Sequence, residues 1–105
     1  MICTLTARRL KPGPFEAFRE AFEKAGVEDV PPEIVKRWSR VDVCRDVTDE
    51  NVALTFGFFE GTLEELREIQ RQGEGGPRSE TGPMAPHIEE VLLDGSYEVL
   101  EEITP

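Results

Sequence analysis

The feature that most constrains this chain is a change of period close to its start. Residues Ile2 to Arg9 alternate, with Ile2, Thr4, Thr6 and Arg8 on one side and Cys3, Leu5, Ala7 and Arg9 on the other, the two-residue period of a strand. Lys11-Pro12-Gly13-Pro14 breaks it, and from Phe15 onward the apolar residues Phe15, Phe18, Ala21, Phe22 and Ala25 follow the stripe of an α-helix. A chain that leaves a strand and at once gathers three phenyl rings on one helical stripe has to lay that helix on a sheet. Pro14 suits the first helical turn, where its missing N–H costs nothing, and Gly26 stands where a C-terminal cap is expected.

The remaining elements follow in the same way. Val27 to Glu33, with the Pro31-Pro32 pair, is a connector. Ile34 to Val47 is a second strand region, with Val41 and Val43 on its apolar face and Trp38, Arg40, Asp42 and Cys44 opposite. The polar run Asp46 to Asn51 turns the chain, so Val52 to Phe59 returns as an antiparallel neighbour. Val52, Leu54, Phe56 and Phe58 line one of its sides; Ala53, Thr55, Gly57 and Phe59 line the other. Thr62 followed by Glu65 forms a capping box for a second helix from Leu63 to about Gln72, with Leu66 and Ile69 inward. Four glycines and three prolines between Gly73 and Pro86 predict a loop. Met84, Ile88, Val91 and Leu92 recur at helical spacing and predict a short third helix from near Pro86, ended by Asp94-Gly95. Ser96 to Ile103 alternates as the last strand.

The order strand, helix, strand, strand, helix, strand is the ferredoxin-like β-α-β-β-α-β layout of an α+β fold, here with an extra short helix before the last strand of an antiparallel sheet. At 105 residues one domain spanning 1–105 is expected. The expected phase puts the phenyl stripe against Val41, Val43, Leu54, Phe56 and Phe58. It leaves Thr4, Thr6, Trp38, Arg40, Thr55 and Phe59 on the bare side, as the lining of a dimer interface and a ligand cavity.

A net charge of −10, from 22 acidic and 12 basic residues, repels phosphate backbones and anionic lipid, so neither nucleic acid nor a membrane is an expected partner. The opening residues lack the basic and long apolar regions of a secretory signal, and the chain is expected to stay in the cytoplasm. Cys3 and Cys44, far apart and with a single histidine in the chain, predict neither a disulfide framework nor a metal site.

Residues 3 to 22, Cys-Thr-Leu-Thr-Ala-Arg-Arg-Leu-Lys-Pro-Gly-Pro-Phe-Glu-Ala-Phe-Arg-Glu-Ala-Phe, resemble the opening of the dimeric α/β-barrel superfamily, of antibiotic-biosynthesis-monooxygenase-like or stress-responsive barrel type. The ending Tyr97-Glu98-Val99-Leu100 is similar to the terminal strand of such proteins. The resemblance implies a homodimer whose two sheets pack face to face, and a small-molecule pocket between sheet and helices in each subunit. It also implies a small, cofactor-independent monooxygenase-like enzyme acting on an aromatic or polyketide-like compound. The haem-degrading relatives are set aside, because the sole asparagine, Asn51, lies in a turn and none stands on strand one; strand one also lacks the histidine common among the stress-responsive relatives.

The catalytic candidates are then His87, Trp38 and Arg40, with Arg8, Thr6 and Phe59 as ligand-binding residues. His87 is the one side chain whose ordinary pKa lies near neutrality, Trp38 offers a stacking surface, and the arginines offer forks for an anionic oxygen. Each has a plainer account: an exposed helix-start histidine, a tryptophan in an interface, arginines in salt bridges. With no second catalytic group beside any of them, a non-catalytic dimeric ligand-binding or stress-associated module is the alternative function.

Overall fold

The computed structural model describes residues 1–71 and 82–105. Strand β1 (Ile2–Leu10) leads through the Lys11–Pro14 break into helix α1 (Phe15–Glu23), and a π-helical turn (Lys24–Glu28) continues it. Gly26 therefore lies inside that turn and not at a helix cap. A single helical turn, α2 (Pro32–Val35), precedes the hairpin strands β2 (Trp38–Arg45) and β3 (Val52–Phe59). Helix α3 (Leu63–Arg71), a 3-10 segment (Gly82–His87) and the long strand β4 (Ile88–Glu98) complete the chain. The expected loop at 73–86 falls outside the described residues up to 81.

The four strands form one antiparallel sheet in the order β2-β3-β1-β4, the ferredoxin-like topology. The molecule measures 36 × 36 × 19 Å, the thickness of one sheet layer and one helix layer. The register pairs Thr6 with Thr55 and Arg8 with Ala53. The even residues of β1 thus share a side with the odd residues of β3, and the buried members of both strands, Ile2, Arg8, Leu10, Ala53, Thr55 and Phe59, all lie there. That is the side the helices cover.

The expected phase of the sheet is corrected on this point. Thr4, Thr6, Trp38, Thr55 and Phe59 do share one side, but it is the helix side. Leu54, Phe56 and Phe58 lie on the bare side, with Cys3, Leu5 and Ala7 from β1 and Leu93 and Tyr97 from β4. Trp38 joins Val41 and Val43 on the helix side because the β2–β3 register slips between Trp38 and Arg40, a bulge that inserts one residue and returns the next to the same side.

Two more register slips, between Ala7 and Arg8 and between Arg9 and Leu10, interrupt the β1–β4 pairing. They set Ile88, Val91 and Asp94 three residues apart yet all on the helix side. That spacing imitates a helix, which is why the expected third helix at 88–93 is strand. Among the described residues between α3 and β4, the helical structure is the 3-10 segment Gly82–His87.

Two apolar clusters hold the helices to the sheet. Leu10, Phe18, Phe22, Ala53 and Met84 form one; Ile2, Phe59, Leu66 and Ile69 form the other. Phe18, only 1% exposed, contributes on the order of 2–3 kcal/mol by leaving water. At α3 the expected capping box is present. The Glu65 amide donates to Thr62 Oγ1 (3.2 Å), and the Thr62 amide donates to Glu65 Oε1 (3.1 Å). Arg37 ties this cap to β2 through Glu65 Oε2 at 2.5 Å. Hydrogen bonds from Arg37 and then from Thr62 hold the Glu65 carboxyl below its ordinary range.

Thr62→Ala is expected to lower unfolding stability by about 1 kcal/mol, measured by urea denaturation. A carboxyl with a depressed folded pKa stabilises above its unfolded value and ceases to do so as pH falls through the folded one. The wild type should therefore lose stability on acidification below the ordinary glutamate range with a steeper slope than Glu65→Gln.

Candidate functional site

Between the two apolar clusters, the helix side of the sheet carries a polar layer. Alternation requires it, since Thr4, Thr6 and Arg8 of β1 stand between Ile2 and Leu10 on the same side, and Thr55 of β3 faces Thr6 across the ladder. Arg8 is 2% exposed and Thr55 4%. The guanidinium donates from Nη1 to Thr55 Oγ1 at 2.7 Å and lies 5.9 Å from the ring centres of both Phe18 and Phe22. A cation with its charge against two phenyl rings and one donor on the Thr55 hydroxyl is held in a defined orientation.

Burial lowers the Arg8 pKa to about 10, and the Asp94 carboxylate acts in the opposite direction. The group stays protonated at neutral pH. Asp94 pairs with Thr6 in the β1–β4 ladder, and Thr6 Oγ1 donates to Asp94 Oδ1 at 3.2 Å. Across the layer, exposure rises from buried Arg8 and Thr55, through half-buried Thr4, Thr6 and Ser96, to exposed Asp94. The layer is thus dry at its centre and open to solvent along β4.

The expected site residues separate into three places. Arg8 and Thr6 stand in the polar layer. Trp38 and Phe59 stand at its end, with ring centres 5.3 Å apart and edge to face. Phe59 is wholly buried with Leu66 and Ile69, and the Arg37 guanidinium lies 4.8 Å from its ring centre. The indole lies over Gly57, where a Cβ would come within 3.0 Å of it; the glycine in mid-strand is what lets the ring approach the backbone.

Arg40 is on the bare side, paired with Phe58 in the ladder and salt-bridged to Asp42 at 2.8 Å. Its expected place beside Trp38 is corrected by the bulge between them. His87 ends the 3-10 segment, where its carbonyl accepts the Lys11 amide at 2.9 Å. It lines a hollow of about 150 Å³ with Lys11, Pro14, Phe15, Glu50 and Asn51, at the end of the sheet. His87, Trp38 and Arg40 therefore do not converge.

Two further residues, Thr55 and Asp94, have a stronger geometric claim. Thr55, expected on the bare side as part of the lining of an interface and cavity, stands under the helices, and Asp94, expected with Gly95 to end a helix, lies within β4. Among the described residues no three His, Cys, Asp or Glu side chains gather as a metal-ligand set, and no helix is long and apolar enough to cross a membrane.

No protein-family model matches the chain, and no curated protein sequence matches it. Solved structures do. One, assigned as an antibiotic biosynthesis monooxygenase from Chloroflexus aurantiacus J-10-fl, superposes with a TM-score of 0.69 over 98% of this chain and 96% of its own, at 12% identity. Another, an uncharacterized NIPSNAP domain protein from Burkholderia xenovorans, gives a TM-score of 0.63 over 100% and 99%, at 14% identity. The chain shares the ferredoxin-like fold of both structures. At these identities the likeness is one of fold, and no residue's role passes across it.

Thr55→Val replaces the hydroxyl that accepts from Arg8 with a methyl of similar shape. The loss of a hydrogen bond to a buried charge is expected to cost about 1–3 kcal/mol, read from the urea midpoint. An unchanged midpoint would show that other groups fully satisfy the guanidinium.

Proposed function

We propose that this protein is a homodimeric, cofactor-independent monooxygenase-like enzyme whose aromatic or polyketide-like substrate enters the polar layer between sheet and helices from the β4 side. The observation that carries the reading is Arg8, a buried cation oriented by Thr55 and by two phenyl rings. A fixed positive charge in a dry site stabilises an oxygen that becomes negative during reaction far better than the same charge in water does.

Asp94 is the proton acceptor in this reading. Its carboxylate sits at the wet edge of the layer, within electrostatic reach of Arg8 and hydrogen-bonded to Thr6. Loss of a proton to Asp94 turns a phenol or enol into its anion, which Arg8 holds and which is electron-rich enough to reduce oxygen itself. The balanced outcome is a methylene and O2 giving a carbonyl and water, with the substrate supplying all the electrons. His87 and Arg40 have no part in it.

The NIPSNAP neighbour and the dispersal of His87, Trp38 and Arg40 favour a second reading, a non-catalytic dimeric module that binds the same class of ligand. Oxygen uptake with a panel of quinol-type substrates separates the two. The enzyme reading expects turnover by wild type and by His87→Ala, and a drop of about 100-fold or more for Asp94→Asn, within the range for loss of a general base. A flat trace for wild type, together with saturable quenching of the single tryptophan by the same compounds, would leave the binding module.

A further inference from the structure

The polar layer makes no use of His87, and the fold gives that residue a setting of its own. Beyond Leu10, at the end of the sheet, three stretches of chain enclose the hollow of about 150 Å³: the turn from β1 into α1, the turn between β2 and β3, and the end of the 3-10 segment. Backbone hydrogen bonds fix them to one another. The Leu10 amide donates to the Asn51 carbonyl at 2.7 Å, and the Lys11 amide to the His87 carbonyl at 2.9 Å. The Asn51 amide braces the β2–β3 turn by donating to Asp49 Oδ1 at 3.0 Å. Pro12, Pro14 and Pro86 stand in the walls, and the fixed φ of a proline leaves little backbone freedom to lose on binding. The hollow is therefore formed before anything enters it.

Its lining divides into an apolar and a polar part. Phe18 and Leu10 border it from the core, and half-buried Phe15 stands beside them. The polar part is Lys11, Glu50, Asn51 and His87. Among the described residues, none of these four side chains makes a hydrogen bond or an ion pair. Arg9, Arg19, Arg37, Arg40 and Arg71, by contrast, all spend their charge on a carboxylate of the chain. An ammonium, a carboxylate, a carboxamide and an imidazole that meet at one hollow and are committed to nothing within the fold are available to a ligand.

We infer that this hollow is a second binding site, separate from the polar layer, for a small zwitterionic amino acid with an apolar side chain. A molecule bearing only a carboxylate meets Glu50 as a like charge, and one bearing only an ammonium meets Lys11 in the same way. A zwitterion offers its carboxylate to Lys11 and the His87 ring N–H, and its ammonium to Glu50 and the Asn51 side-chain oxygen. Its hydrocarbon part lies against Phe15 and the prolines, out of water. Size agrees with this chemistry. Water occupies about 30 Å³ per molecule in the liquid, so the hollow has room for about five waters or a bonded molecule of roughly eight heavy atoms, the size of valine. Drug-sized ligands, which need about 300 Å³ or more, do not fit. Neither the dimer nor any chemistry in the polar layer is needed for it.

Amide NMR of the full chain, titrated with L-valine, 3-methylbutanoate and isobutylamine, tests it. The second probe lacks valine's ammonium and the third its carboxylate. L-valine is expected to shift the Lys11, Phe15, Asn51 and His87 amides saturably at millimolar concentration or below. The Trp38 indole signal should stay in place, because Trp38 packs at the Ile2 end of β1 and the hollow lies at the Leu10 end. Each single-charge probe should bind wild type about tenfold more weakly than valine does, and valine should bind Lys11→Gln and Glu50→Gln more weakly by a similar factor, the loss of one charge-assisted contact. Lys11 and Glu50 are exposed, so the spectra of both variants should otherwise match wild type. No saturable shift with valine, shifts centred on the polar layer, a single-charge probe that binds as tightly as valine, or a charge variant that binds valine like wild type would each overturn the site.

Discussion

Everything in this structure depends on the phase of β3 against β1. A strand shows alternate residues to opposite sides, so sliding one partner by a single position exchanges the site for the surface. The pairing of Thr6 with Thr55 puts hydroxyls and a guanidinium under the helices and turns Leu54, Phe56 and Phe58 outward. The polar layer tolerates burial because its groups satisfy one another: Arg8 on Thr55 and the phenyl faces, Thr6 on Asp94. The apolar outer side has no such internal solution and needs a cover.

That phase was the part of the fold least legible in the sequence. The element order, the phenyl helix and the capping box at Thr62 and Glu65 follow from local chemistry, and local chemistry is what a single sequence records. Choosing which side of β3 meets the helices is a tertiary question. The habit of giving the more apolar side to the helices fails here, because the side of β3 turned away from them carries the larger apolar residues, Leu54, Phe56 and Phe58. The helix side of β3 is read as weak because Ala53 and Gly57 are small, yet their smallness is what admits the helices and Trp38.

Bulges caused the remaining errors. The period of two identifies a strand only while the pairing is regular. One inserted residue between Trp38 and Arg40 put Trp38 with Val41 and removed Arg40 from the site. The irregular pairing of β4 gave Ile88, Val91 and Asp94 a spacing of three, and so disguised a strand as a helix and an ionisable site residue as a helix stop. Arg8 and Thr6 are legible as residues of one side because β1 pairs with β3 without a slip along the stretch that holds them.

The same physics links the two sides of the sheet in function. A buried arginine needs a rigid, water-poor setting to act on a ligand, and a four-stranded sheet with one side in water is a poor source of rigidity. In the proposed dimer, covering the outer side would stiffen the floor on which Arg8, Thr6 and Thr55 stand. In the homodimer we propose, Leu54, Phe56 and Phe58 meet a second copy of the chain. Sedimentation equilibrium at micromolar concentration, on wild type and on Phe56→Glu, tests it most directly. The account predicts twice the chain mass for wild type and a folded species of single chain mass for the variant; a wild type of single chain mass, or a variant that remains paired, would contradict it.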